Sequence, residues 1–176
     1  GQEKLRLAEV SNNQIVAWYG VYDNNSNFVG LQISTNGGGG YTVNWGDGTS
    51  NNYNSAATGS KQYTTASFAA LTSSIYSVTD LYKPALITVT LSGSATSFST
   101  VNFTTRPTLP TGSLTNGISN GWKSIKMAGD QVSSLTLGSN AGSWLSLKQL
   151  EENFKDIDTY QIKNHNMGII DDVYHT

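Results

Sequence analysis

The sequence predicts an all-β fold, and three observations lead to that prediction. Charged residues make up only 12% of the 176 residues, about half of the usual ~25%. Asn, Ser, Thr and Gly take their place, and these residues favour turns and strands over helix interiors. Short segments rich in β-branched and aromatic residues recur between them. We therefore expect a β-sandwich, followed by a small β-rich repeat region with one short helix.

The first two predicted strands lie on either side of a segment of turn-forming residues. Gln14–Val21 and 28–34 are both rich in β-branched and aromatic residues. The segment 23–27 between them consists of Asp, Asn and Ser, which are typical turn residues. The short connection predicts that the two strands form a β-hairpin.

Alternating apolar residues predict the core of the sandwich. Side chains two positions apart on a strand share one face. Tyr41, Val43 and Trp45 follow this alternation, and so do Ile87 and Val89 in the clearest strand of the chain, 85–91. We expect these five residues to be buried.

A tight turn should end the strand that carries Trp45. Gly46, Asp47 and Gly48 follow it directly, and glycine tolerates the positive φ angles that such turns require. The segment 49–53 can then return as the partner strand. The four glycines at 37–40 predict a loop before this hairpin, because glycine loses much conformational entropy in a regular element.

The pattern changes after residue 104. Proline at positions 107 and 110 disfavours continued strand pairing. Short apolar triplets then recur, and leucines at helical spacing predict a helix over 145–154. We interpret the chain as an N-terminal arm (1–13), a β-sandwich (14–104) and a β-rich, leucine-repeat-like region (105–176) that is incomplete.

The segment 14–92 resembles the polycystic-kidney-disease (PKD) type of immunoglobulin-like domain. The motif Trp45-Gly46-Asp47-Gly48-Thr49 matches the aromatic strand and turn of that family, and strands around Tyr63 and over 87–91 match its later strands. Lys61 stands where the family commonly has His. The resemblance implies an immunoglobulin-like sandwich.

The order of these elements also looks like that of structural proteins of tailed bacteriophages, in which such a domain precedes leucine-rich repeats. This resemblance implies a non-enzymatic virion protein, namely a fibre, baseplate or head-decoration component for assembly or host adhesion. Its partners would be other virion proteins, copies of itself and a host surface glycan. The alternative is a PKD-type accessory module of a secreted or surface bacterial protein that binds glycan or protein.

Composition argues against several other functions. The net charge of −2 offers no basic stripe for nucleic acid, and no apolar stretch is long enough to cross a membrane. There is no cysteine, and His165 and His175 are the two histidines. Neither a nucleophile motif nor a zinc motif occurs. We expect no enzymatic activity and no cofactor.

Two further sets of residues are candidates for binding. Asp23, Asn25 and Asn27 offer oxygen atoms at alternating positions, as calcium loops do, although the Gly and the closing Glu of such loops are missing. We favour the simpler interpretation, in which this segment is an Asn-rich turn that binds no metal.

Aromatic residues on the first strand form the second set. Trp18, Tyr19 and Tyr22 alternate between its faces, so some of them should be exposed. An exposed aromatic row can stack on a sugar or fill a protein interface. Packing in the sandwich core is the competing interpretation for each of them.

Overall fold

The chain folds into two β-sheets that pack around one core, which confirms the predicted all-β sandwich. The computed structural model describes residues 9–73, 75, 81–103 and 121–136, together with the backbone of 154–155 and 162–163. Eleven strands and one short helix lie in these segments. They are β1 (Gln14–Val21), β2 (Asn27–Asn36), β3 (Gly40–Asn44), β4 (Ser50–Asn54), β5 (Thr58–Tyr63), α1 (Thr65–Ala70), β6 (Lys83–Ser92), β7 (Ser97–Asn102), β8 (Trp122–Ala128), β9 (Ser134–Thr136), β10 (Phe154–Lys155) and β11 (Ile162–Lys163).

The strands divide between a six-stranded and a five-stranded sheet. The order in the first sheet is β10-β8-β1-β6-β3-β4, and the order in the second is β11-β9-β7-β2-β5. Side chains from both sheets interdigitate in the core. The structure places all five residues of the predicted core, Tyr41, Val43, Trp45, Ile87 and Val89, at 0% exposure.

The predicted hairpin of β1 and β2 does not form. β1 pairs with β6 and β8 in the six-stranded sheet, whereas β2 pairs with β5 and β7 in the other. The turn between β1 and β2 therefore crosses from one sheet to the other. The side chain of Asn27 stabilises this crossing, because its amide nitrogen donates to the carbonyl oxygens of Tyr22 and Tyr63.

Described strands from both sides of residue 104 belong to the same sheets. β8 pairs with β1, and β9 pairs with β7. Trp122, Ile125 and Leu135 join the core that the first half of the chain builds. The described strands on either side of the boundary that the prolines suggested thus share one core.

The later strands alternate between the sheets and stack in parallel. β10 lies parallel to β8, and β11 lies parallel to β9. Phe154 pairs with Met127, and Ile162 pairs with Leu135, so each pair spans the same offset of 27 residues (127 to 154, 135 to 162). Equal offsets in both sheets are what a coil of a repeat protein produces.

Helical structure is limited to α1 among the described residues. Thr64 caps its N-terminus, since its hydroxyl accepts the Ser67 backbone N–H and the Ser67 hydroxyl accepts the Thr64 N–H. Most of the helix predicted over 145–154 lies outside the described residues, but Phe154 itself begins β10 and is not helical. No helix in the described part of the chain has the length and apolar character that a membrane crossing requires.

Candidate functional site

The predicted turn after Trp45 forms, and it connects β3 to β4. Gly46 and Gly48 adopt φ angles of 78° and 89°. The Trp45 backbone N–H donates to the Thr49 carbonyl oxygen at 3.0 Å and closes the turn. A side chain at Gly46 would also collide with the backbone of β6, because its Cβ would lie 2.4 Å from the Leu86 carbonyl oxygen.

Asp47 at the tip of this turn forms an ion pair with the other sheet. Its Oδ2 lies 2.7 Å from the Nζ of Lys61 on β5, and the two side chains are 6% and 17% exposed. The other carboxylate oxygen accepts the Thr49 backbone N–H at 3.0 Å. Burial alone would raise the pKa of Asp47, but the hydrogen bonds from Lys61 and Thr49 outweigh it and hold that pKa below its ordinary value.

A second contact joins the same turn to β5. The hydroxyl of Tyr63, which is buried on β5, donates to the Trp45 carbonyl oxygen, and the Trp45 indole N–H donates to the Asn51 amide oxygen at 2.8 Å. Burial raises the pKa of Tyr63 well above its ordinary value. Lys61 and Tyr63 therefore fix the turn to the opposite sheet. We call Trp45, Asp47, Lys61 and Tyr63 the turn clamp.

The aromatic residues of the first strand separate as their alternation predicts. Tyr19 is 1% exposed and donates its hydroxyl to the Phe28 carbonyl oxygen at 2.7 Å, so it belongs to the core and not to an interaction surface. Trp18 and Tyr22 lie on the outer face of the six-stranded sheet and are half-buried. Leu86, which is directly opposite Trp18 on β6, is 38% exposed.

Tyr22 belongs to a cluster on this outer face that the sequence did not reveal. A register shift after Trp18 places Lys123 as an extra residue of β8, and its Nζ lies 4.6 Å from the ring centre of Tyr82 and 5.7 Å from that of Tyr22. Gly20 leaves room for it, since a Cβ there would lie 2.6 Å from the Lys123 Cε. We call Tyr22, Tyr82 and Lys123 the aromatic–lysine cluster.

At the candidate calcium site, the side-chain oxygens of Asn25 and Asn27 accept hydrogen bonds from backbone N–H groups of the protein. Asn27 is 6% exposed, and its Oδ1 accepts the Tyr22 backbone N–H at 2.8 Å. The Asn25 Oδ1 accepts the Thr65 N–H at 3.0 Å. Asp23 is exposed beside them. The two asparagine oxygens therefore stabilise the crossing between the sheets. In the described segments, no group of three or more His, Cys, Asp or Glu residues has metal-binding geometry.

Some residues that form these contacts had only weak signals in the sequence. Lys61 appeared only as a departure from the PKD-type pattern, and its link to Asp47 depends on a contact between sheets. Gly20 was a better signal, because a glycine inside a strand often marks a bulge or a close approach. His165 and His175 lie outside the described residues.

Comparison with known proteins gives no relative for this chain: no family model, no curated protein and no solved structure matches it.

Proposed function

We propose that the chain is a non-enzymatic structural protein of a tailed-phage virion, serving as a fibre, baseplate or head-decoration component in assembly or host adhesion. The sandwich with its Trp45-Gly46-Asp47-Gly48 turn supports a PKD-type domain as the first part of this protein. Fold likeness alone does not define a function. The support therefore has to come from how the sandwich is combined with the rest of the chain.

The equal 27-residue offsets of β10 and β11 carry the proposal. They lie within the ~20–29 residues of a leucine-rich repeat, and they follow the sandwich along the chain. A sandwich followed by stacked, repeat-like coils is the arrangement that the likeness to phage structural proteins implies. Because β8 and β9 belong to both the sandwich and the coils, the two parts would form one stiff body.

The outer face of the six-stranded sheet suits dense contact between proteins. Thr42, Asn44, Thr88 and Thr90 lie in adjacent registers of β3 and β6, and they are neutral and at least partly exposed. Neutral side chains lose less solvation energy than ionised ones when a partner covers them. Copies of this chain, other virion proteins or a host surface glycan are the partners that we propose.

Immunogold electron microscopy tests this role. Antibody against the chain, applied to particles from the source culture, should place gold at discrete positions on tailed particles, and the position would assign head, baseplate or fibre. Gold on cell envelopes or free in the medium, with unlabelled particles, would refute the virion role.

A second candidate function has one observation in its favour. Trp18 and Tyr22 lie half-buried on the outer face of the six-stranded sheet, and the Lys123 ammonium group lies beside the Tyr22 ring, with Tyr82 buried beneath it. Partly exposed aromatic rings next to a polar group are the type of surface that stacks on sugar rings. An accessory module of a secreted or surface bacterial protein would use it to bind glycan. A glycan array with the native chain and Trp18→Ala tests this: binding that Trp18→Ala removes supports the module, and an array without binding argues against it.

A further inference from the structure

The two sheets have neighbouring edge strands, and these strands differ in the exposure of their outward-facing backbone groups. β4 ends the six-stranded sheet, and β5 ends the five-stranded sheet on the same side of the molecule. The two strands are joined by the short connection 55–57. An edge strand presents unpaired backbone groups to other chains unless something covers or disrupts it.

The register of β3 and β4 determines which backbone groups face outward. The Trp45 N–H donates to the Thr49 carbonyl oxygen and the Ser55 N–H to the Gly39 carbonyl oxygen, at either end of one continuous register. Hydrogen-bonded and non-bonded pairs alternate in an antiparallel ladder. Asn51 and Tyr53 therefore bond to β3, whereas Ser50, Asn52 and Asn54 direct their backbone N–H and C=O groups away from the sheet.

The residues that carry these outward groups lie at the surface. Ser50, Asn52 and Asn54 are all exposed. The Asn54 carbonyl oxygen accepts the Ala57 N–H at 3.0 Å. The backbone N–H and C=O of Asn52, at the centre of the strand, have no partner among the residues that the structure describes.

The β5 edge is closed by contrast. The Tyr53 hydroxyl accepts the Ser60 backbone N–H and donates to the Ser60 carbonyl oxygen, both at 3.3 Å. One side chain thus occupies both outward groups of Ser60. Lys61 adds a charge next to this position, and a charge is a common protection of edge strands.

β4 lacks several of the usual protections of an edge strand. It contains no lysine, no proline and no other ionisable charge at neutral pH, and its register with β3 is continuous, without a bulge. An edge that is neutral, unpaired and free of bulges accepts a further strand more readily than a protected one.

We propose that β4 is a self-association edge, at which β4 of a second copy pairs antiparallel about Asn52. A two-fold axis through this residue places Asn52 opposite Asn52 of the other copy, and Ser50 opposite Asn54. Both strands then exchange backbone N–H···O bonds at outward-facing positions, and the six-stranded sheets become continuous across the axis.

The chemistry of the strand favours a copy of itself as the partner. Self-pairing brings identical side chains together at the axis, which repels for charged residues but not for amides, since an Asn side chain both donates and accepts. The inference deepens the proposed assembly role and rests on it for its biological purpose. Its geometry stands without that role, because it depends only on β3, β4 and β5.

Sedimentation velocity of the full chain tests the pairing. Over about 1 μM to about 1 mM protein we expect a concentration-dependent dimer. Asn52→Pro removes an N–H that bonds to nothing in the monomer, and proline is tolerated on strand edges. We expect this substitution to weaken dimerisation at least about tenfold. Asn52→Ser keeps the N–H and the neutral charge, so this matched control should still dimerise.

Amide hydrogen exchange gives a second measurement on the native chain. The Asn51 and Tyr53 amides should exchange slowly at every concentration, because they bond to β3. The Asn52 amide should become slow only at concentrations where the dimer forms. If Asn52→Pro fails to fold, Asn52→Lys places like charges at the axis and should weaken the dimer instead.

A chain that stays monomeric throughout this range, or a dimer that persists in Asn52→Pro and Asn52→Lys, would overturn the inference. Neither result bears on the immunogold experiment, so failure of the β4 edge can be told apart from failure of the virion role.

Discussion

The carboxylate of Asp47 lies 2.7 Å from the ammonium group of Lys61, and this contact joins the two sheets at one end of the sandwich. The pair is largely buried, and the Lys61 Nζ also donates to the Thr49 hydroxyl at 3.0 Å. The role of the Asp in the Trp-Gly-Asp-Gly-Thr motif therefore extends beyond its own turn. It anchors the turn to a strand of the opposite sheet.

Neutralising this aspartate should destabilise the sandwich. Asp47→Asn leaves the Lys61 ammonium in a mostly buried position without its charged partner. We expect the free energy of unfolding to fall by about 1–3 kcal/mol, measured by urea denaturation at pH 7. Asp23→Asn, a change at an exposed aspartate, should alter it by less than about 0.5 kcal/mol. Equal effects of the two substitutions would contradict a structural role for the ion pair.

The same carboxylate should make stability depend on acid pH. Its pKa in the folded state lies below the ordinary 3.8, so folding gains from its ionised form. This contribution is complete above the unfolded-state pKa and is lost as the pH falls through the folded-state pKa. We expect the stability of the native chain to drop more steeply below about pH 4 than that of Asp47→Asn. Parallel curves from pH 7 to pH 2.5 would exclude the linkage.

Tyr63 should produce the opposite dependence at alkaline pH. Its pKa is raised in the folded state by burial, so the unfolded chain ionises first, near pH 10. Stability should therefore decline above about pH 10. Tyr63→Phe should lose about 1–2 kcal/mol at pH 7, because the Trp45 carbonyl oxygen loses its donor, but it should decline less above pH 10. Thermal unfolding at several pH values measures both effects.

The two glycines of the turn provide a matched comparison. Both have positive φ, so alanine costs about 1–2 kcal/mol at each position. Gly48 has open space around it, whereas a Cβ at Gly46 would lie 2.4 Å from the Leu86 carbonyl oxygen. Gly46→Ala should therefore lower the melting temperature more than Gly48→Ala. The reverse order would show that the close approach to β6 does not constrain the turn.

Asn27 should matter through hydrogen bonds and not through calcium. Its buried side chain bonds backbone groups on both sides of the crossing between the sheets. Asn27→Ala should cost about 2–3 kcal/mol, since several backbone groups lose a partner, while Ser26→Ala at an exposed position should cost little. Calcium and a chelator should leave the melting temperature of the native chain unchanged. A rise with calcium would reinstate the loop as a metal site.

Local pattern was sufficient for the faces of the strands but not for their pairing. The alternation of Tyr41, Val43 and Trp45 identified buried residues, because the period of a strand determines its faces. The partner of β1 could not be inferred in the same way. It pairs with β6, far along the chain, since the turn after Val21 crosses to the other sheet. The amide of Asn27 enables that crossing, and one asparagine among several gave no sign of it.

The candidate surfaces were predictable to an even smaller extent. The alternation of Trp18, Tyr19 and Tyr22 predicted that some of them are exposed but did not identify Tyr19 as the buried one. Tyr82 and Lys123 were not recognisable, because a bulge in β8 brings Lys123 to the same face. The openness of the β4 edge depends on the order of the strands in its sheet, and the closure of the β5 edge depends on the Tyr53 hydroxyl. Both are tertiary properties.

The most direct test of the virion role is the copy number of the chain in purified particles. Tailed particles from the source culture would be banded on a density gradient, and peptides of this chain would be quantified by mass spectrometry against those of the major capsid protein. The proposal predicts a fixed ratio that stays constant across the particle band and after a second gradient. A chain that separates from the particles, or whose ratio changes from fraction to fraction, would contradict it.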